Sequence, residues 1–300
     1  IPIFKENILM RDFVIITETT ADLPASYIEE NGLIIAPLYY QIGDTVYGEE
    51  KHMELKEFFD AMRNGAAPTT SASNPDTLRR LYIEIIESGK DILHLAFSSG
   101  LSCSYNNASF VANDISEEYP DAKITVIDTL CASLGQGLIV NSAVQMKKQG
   151  KSIDEIAAWV ESKKLNLCHQ FTVDDLIYLY RGGRLKKSSA ILGTIINIKP
   201  VLHVDNEGHL VPLTKVRGRK KSLNALVDNM VAALEGYDYD LENEWVYISH
   251  GDCQEDAEYV KTQIEERIGV KNFMINYLSP TIGSHAGPGT VALFYYGKER

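Results

Sequence analysis

Hydroxyl side chains gather beside glycines and prolines at three points in this chain. Residues 17–24 (TETTADLP), 98–105 (SSGLSCSY) and 283–289 (GSHAGPG) each follow a short apolar run. Where a strand hands over to a helix, free backbone N–H groups and nearby hydroxyls can hold a small anionic or carbonyl oxygen. The candidates are Thr19 and Thr20 in the first loop, Ser98, Ser99 and Gly100 in the second, and Gly283, Ser284 and His285 in the third. Residues 69–75 (TTSASNP) read as a further loop between two helices and add Thr70 and Ser71. His285 stands out because it sits among glycines, where an imidazole can meet a ligand as well as a structural partner. Ser and Thr are also favoured helix caps, so each loop alone reads equally as a cap. Three in one chain point to a shared cleft.

Two basic clusters are local exceptions in a chain with 29 basic and 41 acidic residues, net charge −12. Arg181 and Arg184 flank a glycine pair, and Arg217, Arg219, Lys220 and Lys221 lie within five positions. They read either as solvated surface or as a docking patch for an acidic or phosphate-bearing partner, with Arg181, Arg217, Arg219 and Lys220 as its members. An overall acidic chain is a poor general binder of nucleic acid. Catalytic and cofactor motifs fail on spacing. Gly150-Lys151-Ser152 ends like a phosphate loop, but Gln145 stands where its first glycine belongs. Gly287-Pro288-Gly289 opens like a dinucleotide fingerprint with too little chain behind it for a βαβ unit. There is no GxSxG elbow, no HExxH pair and no CxxC pair. His203 and His209 fall on either side of an expected hairpin and read as structural. No metal and no cofactor are expected.

Eight apolar runs rich in β-branched residues (13–17, 33–39, 92–97, 124–127, 198–204, 210–216, 245–249, 273–278) must position these loops. They alternate with helical patterns over 53–62, 75–88, 104–118, 137–148, 153–163, 222–234 and 255–268. That alternation predicts an α/β fold of two α/β domains. The first, residues 1–165, carries a mainly parallel sheet. The second, 166–300, carries a mixed sheet, because Asn206-Glu207-Gly208 reads as a hairpin turn. Residues 1–9 read as a leading tail, and Lys5 and Glu6 interrupt what a secretory signal would need. The apolar run 190–198 is too short for a membrane span. A cytoplasmic protein is expected, and 45% hydrophobic residues can build its core without disulfides.

Taken in order, the motifs resemble the DegV family of bacterial fatty-acid-binding proteins. A TDSTADLP-like turn matches residues 17–24, a Thr-Ser loop matches Thr70-Ser71, and an SSGLSGTY-like signature matches 98–105. A KGGRI-like segment at 181–185, Ile198-Lys199-Pro200, Arg217-Gly218 with its basic neighbours, and HxGPG at 285–289 complete the order. Glu18 replaces the family's Asp, Cys103 a Gly, Ser104 a Thr, and Ser73 stands where many members have Pro. The resemblance implies two α/β domains with the ligand at the domain junction, its acyl chain buried in a tunnel. Its carboxylate would be held by the Ser98/Ser99/Gly100 loop, Thr70 and Ser71, with Arg184 and His285 nearby and Thr19, Thr20, Gly283 and Ser284 in support.

Some members of that family present the bound acid to a separate ATP-binding fatty acid kinase subunit, and a chain without a nucleotide motif suits such a carrier. The resemblance thus implies a lipid-binding carrier subunit without catalysis of its own, a long-chain fatty acid as ligand, and transient membrane contact during exchange. The competing readings are a lipid-sensing regulatory protein and a serine esterase using Ser99 and His285.

Overall fold

The structure, a computed structural model, describes residues 11–185 and 197–300. The expected leading tail, residues 186–189 of the first basic cluster and residues 190–196 of the apolar run lie outside the described residues. In chain order the first half comprises β1 (Phe13–Glu18), α1 (Ala25–Glu30), β2 (Ile34–Ala36), β3 (Tyr39–Ile42), β4 (Thr45–Tyr47), α2 (Leu55–Arg63), β5 (Thr69–Ser71) and α3 (Pro75–Glu87), then β6 (Asp91–Ala96), α4 (Ser104–Glu118), β7 (Ile124–Asp128), α5 (Leu134–Lys148) and α6 (Ile153–Lys163). The second comprises β8 (Leu167–Thr172), α7 (Ile177–Arg181), β9 (Ile198–Val204), β10 (Leu210–Arg217), α8 (Arg219–Ala233), β11 (Trp245–His250), α9 (Gln254–Arg267), β12 (Asn272–Tyr277), α10 (Pro280–Ala286) and β13 (Val291–Tyr296).

The expected α/β architecture is present. A parallel sheet of order β2-β1-β6-β7 belongs to the first half, and a mixed sheet of order β10-β9-β8-β13-β11-β12 to the second. β1 and β6 are buried along their whole length, because helices cover both faces of a parallel sheet. The hairpin at 206–208 joins β9 to β10. Helix starts follow local chemistry: Asn74 accepts from the N–H groups of Asp76 and Thr77 ahead of α3, and Ser152 with Glu155 closes a capping box on α6.

Three expectations about elements change. The run 33–39 is two strands, since Pro37 cannot extend the ladder of β2. Residues 69–71, read as loop, form β5 and pair with β3 in a small antiparallel sheet of order β4-β3-β5. The 283–289 stretch, read as a strand-end loop, is helical up to Ala286; Pro280 at the first position of α10 starts that helix.

Each half has its own sheet, with the handover at the short 3-10 turn Lys164–Asn166. The main core nevertheless runs through both. α5 is buried on nearly all sides and joins Phe13, Leu93 and Ile127 of the first sheet to Phe171, Leu202 and Phe294 of the second. Among the described residues no helix is long and apolar enough to cross a membrane.

Candidate functional site

A cavity opens off the carboxyl ends of β1 and β6, where Thr20 and Phe97 reach its wall. An α/β sheet presents ligand sites at this end of its strands. Across from it, Phe171 of β8 and Ala292 and Phe294 of β13 supply the floor from the second sheet. Leu38, Leu101, Leu179, Val204, Leu210, Leu278 and Ile282 make most of the remaining wall apolar.

Several polar side chains of the lining are committed within the protein. Thr20 donates to Gln136 Oε1 at 3.0 Å. Gln136 in turn donates to Glu18, which also accepts from the Phe97 N–H and lies 3.2 Å from His94 Nε2. Ser133 donates to Asp22 at 2.5 Å, and Thr290 donates to the carbonyls of Ala286 and Gly287. His169 accepts the Ala132 N–H at Nε2, and burial pulls its pKa down, so it stays neutral. Because these groups are satisfied within the protein, they add no unmet donor to an otherwise apolar tunnel.

A second group of lining residues is different. Thr70 and Ser71 on β5, His285 on α10, Arg184 after α7 and Ser102 ahead of α4 make it up. Thr70 Oγ1 lies 2.7 Å from His285 Nε2, while His285 Nδ1 is buried with no hydrogen-bond partner among the described residues. Burial, and secondarily the charge of Arg184, hold the His285 pKa down at about 4. The Arg184 guanidinium donates to the carbonyls of Leu101 at 3.1 Å and Gly182 at 2.6 Å. Partial burial lowers its pKa too. A fixed cation thus stands beside a neutral imidazole–hydroxyl pair in a mostly apolar cavity.

The structure brings Thr70, Ser71, Arg184 and His285 together, with Thr20 in the lining of the same cavity. It places Ser98, Ser99 and Gly100 outside the lining, while Leu101 and Ser102 of the same loop belong to it. The buried Ser98 donates to the Gly208 carbonyl at 2.9 Å and accepts from the Gly100 N–H. A side chain at Gly100 would run into the backbone of Glu207 and Gly208, so that glycine is demanded by the hairpin. Ser99 is exposed, with its N–H held by Asp128. This loop nonetheless positions the wall, because the Ser98 carbonyl accepts from the N–H groups of Leu101 and Ser102.

Thr19 accepts from the Leu38 N–H, and Ser284 donates back to Pro280, so both serve backbone geometry. Gly283 packs against Phe58 and Phe59, where a Cβ would stand 2.9–3.0 Å from their rings. Reasoning from the sequence did not single out Gly182, Ser102 or Ser133 individually. Gly182 belongs to the RGGR stretch, and the other two carried no signal beyond their hydroxyls.

Of the basic candidates, Arg181 and Arg217 are exposed. Arg219 is paired with Asp256 at 2.8 Å, and Lys220 sits over the Tyr259 ring. Among the described residues, Asp205, Glu207 and His209 could offer atoms to a cation. Asp205 already accepts from the N–H groups of Glu207 and His209, which is how the β9–β10 turn is built.

Residues 12–298 match the DegV family, whose description reads "uncharacterised protein". The chain belongs to the DegV family. A DegV domain-containing protein of Clostridium perfringens is 43% identical over 96% of this chain and 98% of its own length. A DegV family protein from Thermus thermophilus, described for its fatty acid binding, superposes with a TM-score of 0.85 at 30% identity, covering 96% of this chain and all of that one. A fatty acid binding DegV family protein from Streptococcus agalactiae gives 0.84 at 27% identity, over 97% and 100% of the two chains.

Proposed function

We propose that this DegV protein binds a long-chain fatty acid with its tail in the cavity between the two α/β halves, residues 1–165 and 166–300. Its carboxylate lies at the Thr70–His285–Arg184 end. The observation that carries this reading is the make-up of one cavity: its wall is mostly apolar, several lining hydroxyls are spent internally, and a cation meets a hydroxyl–imidazole pair in the same lining. A buried carboxylate needs donors and opposite charge, and that end supplies both. Each buried methylene contributes about 0.8 kcal/mol, so the tail supplies most of the affinity and the polar end sets orientation. Ser71 completes the polar end, and Ser98, Ser99 and Gly100 support it by fixing Leu101 and Ser102. The fatty-acid titles of the Thermus and Streptococcus relatives support the same ligand class.

The protein does not transform the acid. In the cytoplasm it hands the carboxylate to a separate ATP-binding kinase subunit that makes the acyl phosphate, docking through exposed Arg181 and Arg217. Arg219 is a weaker candidate for that face, since it is already paired with Asp256. The esterase alternative finds no support in the geometry: Ser99 is exposed outside the cavity, whereas His285 lines it and meets Thr70.

The direct test is titration with palmitate and with its methyl ester by native mass spectrometry. The reading predicts one acid per chain and much weaker uptake of the ester. Equal uptake of both would remove the polar end from the account, and uptake of neither would overturn the function. For the partner step, Arg181→Glu with Arg217→Glu should leave palmitate uptake unchanged and reduce acyl-phosphate formation by an added kinase subunit.

A further inference from the structure

The contact between Gly182 and His285 fixes which imidazole nitrogen carries the proton. Gly182 lies just after α7 in an ordinary right-handed conformation, so its backbone does not require glycine. Its surroundings do. A Cβ on Gly182 would stand 2.0 Å from His285 Nδ1 and 3.0 and 3.1 Å from the two ring carbons that flank it. That near-equal spacing puts the Cβ direction on the in-plane axis along which Nδ1 carries either a lone pair or a hydrogen. In glycine the position holds an α-hydrogen, and a hydrogen on Nδ1 would be driven into it. A lone pair there instead meets a weak C–H donor. This explains why Nδ1 is buried without a conventional partner among the described residues.

A neutral imidazole with a bare Nδ1 carries its hydrogen on Nε2. That nitrogen is 2.7 Å from Thr70 Oγ1, so the Nε2–H donates and the Thr70 oxygen accepts. The Thr70 hydroxyl hydrogen is then free of His285. We propose that Gly182 and His285 are positioning residues that turn Thr70 into the donor facing the ligand's head group: Gly182 forces the Nε2–H form of His285, and His285 occupies the acceptor side of Thr70. The last step, donation to a carboxylate, rests on the fatty-acid reading above. The first two steps do not.

The geometry has a consequence for selectivity. A hydroxyl that donates favours an acceptor-only head group such as a carboxylate. Ligands ending in an alcohol or a primary amide, which must also place a hydrogen, gain less from the same site.

The test combines histidine nitrogen NMR with binding of palmitate, on the full chain labelled with 15N-histidine. His285→Gln assigns the His285 signals by their loss. The expected spectrum near pH 7 shows a pyridine-type Nδ1 and a pyrrole-type Nε2 for His285. The reverse pattern, or a doubly protonated ring, would overturn the proposal whatever palmitate does. Thr70→Val should weaken palmitate binding by about tenfold or more, as loss of a hydrogen bond to a charged group does, and Thr70→Ser should restore most of it. Gly182→Ala should displace the ring, changing the His285 nitrogen pattern and weakening palmitate binding while the thermal transition stays cooperative. An unchanged His285 pattern with parental affinity in Gly182→Ala would also overturn it. If the nitrogen pattern is as expected but palmitate does not bind, the fatty-acid reading falls and the Gly182–His285 assignment stands.

Discussion

At the residue scale, serines that look alike in the sequence divide by whether their hydroxyl is already used. Ser98 donates to a buried carbonyl of the β9–β10 turn. Ser98→Ala should therefore cost about 1–3 kcal/mol of stability in chemical denaturation, the penalty of orphaning that carbonyl. The exposed Ser99 should tolerate Ala with palmitate affinity within about twofold and no measurable loss of stability. Loss of binding in Ser99→Ala alone would mean that the head group reaches that loop. His285 makes a pH prediction. Its ordinary pKa of 6.5 is held at about 4, so as pH falls below 6.5 the unfolded chain takes up the proton first. Stability present above pH 6.5 drains away toward pH 4, and His285→Gln should show a shallower acid-side decline in melting temperature. His285 and Thr70 were visible as residue types in the sequence. Their pairing was not, because they are far apart in the chain and meet only when β5 packs beside α10.

At the element scale, the strands and helices with strong periodicity were legible, and the short pieces that hold the site were not. β6, β9 and β10 are apolar runs with β-branched residues, and their hairpin turn carries a recognisable Asn-Glu-Gly. β5 has only three residues and no apolar pattern, so it exists because β3 offers it an edge. α10 hides a helix around Gly283, the glycine that packing against Phe58 and Phe59 demands.

Between the halves, Asp22 joins three segments: it accepts from Ser133 at the start of α5 and from the Ser279 N–H ahead of α10, and its carbonyl accepts from Asn276. Burial pushes its carboxyl up to about 7 from 3.8. The folded state therefore holds a proton that the unfolded state has released. The corresponding stability is full below pH 3.8 and is lost as pH rises through 7, amounting to roughly 4 kcal/mol at most. Asp22→Asn should flatten the change in stability between pH 5 and 8 in urea titrations at fixed pH. An unchanged slope would mean that Asp22 stays charged in the fold.

At the scale of the whole molecule, two sheets share a core through α5, and the cavity lies where they meet. The sequence made two α/β halves legible, because parallel and hairpin signals fall in different stretches. The cavity's existence depends on how Phe171, Phe294 and Leu210 leave space against the first sheet, which no periodicity encodes. A ligand gripped by both halves should stabilise them together. Palmitate at 100 times its dissociation constant should add about 2.7 kcal/mol, seen as a concentration-dependent rise in a single thermal transition.

The central claim is that this cavity holds a fatty acid, and the most direct measurement is denaturing extraction of the purified protein followed by lipid mass spectrometry. The account predicts close to one long-chain fatty acid per chain, or its uptake when palmitate is supplied to protein purified empty. A protein that yields none and takes up none would contradict it.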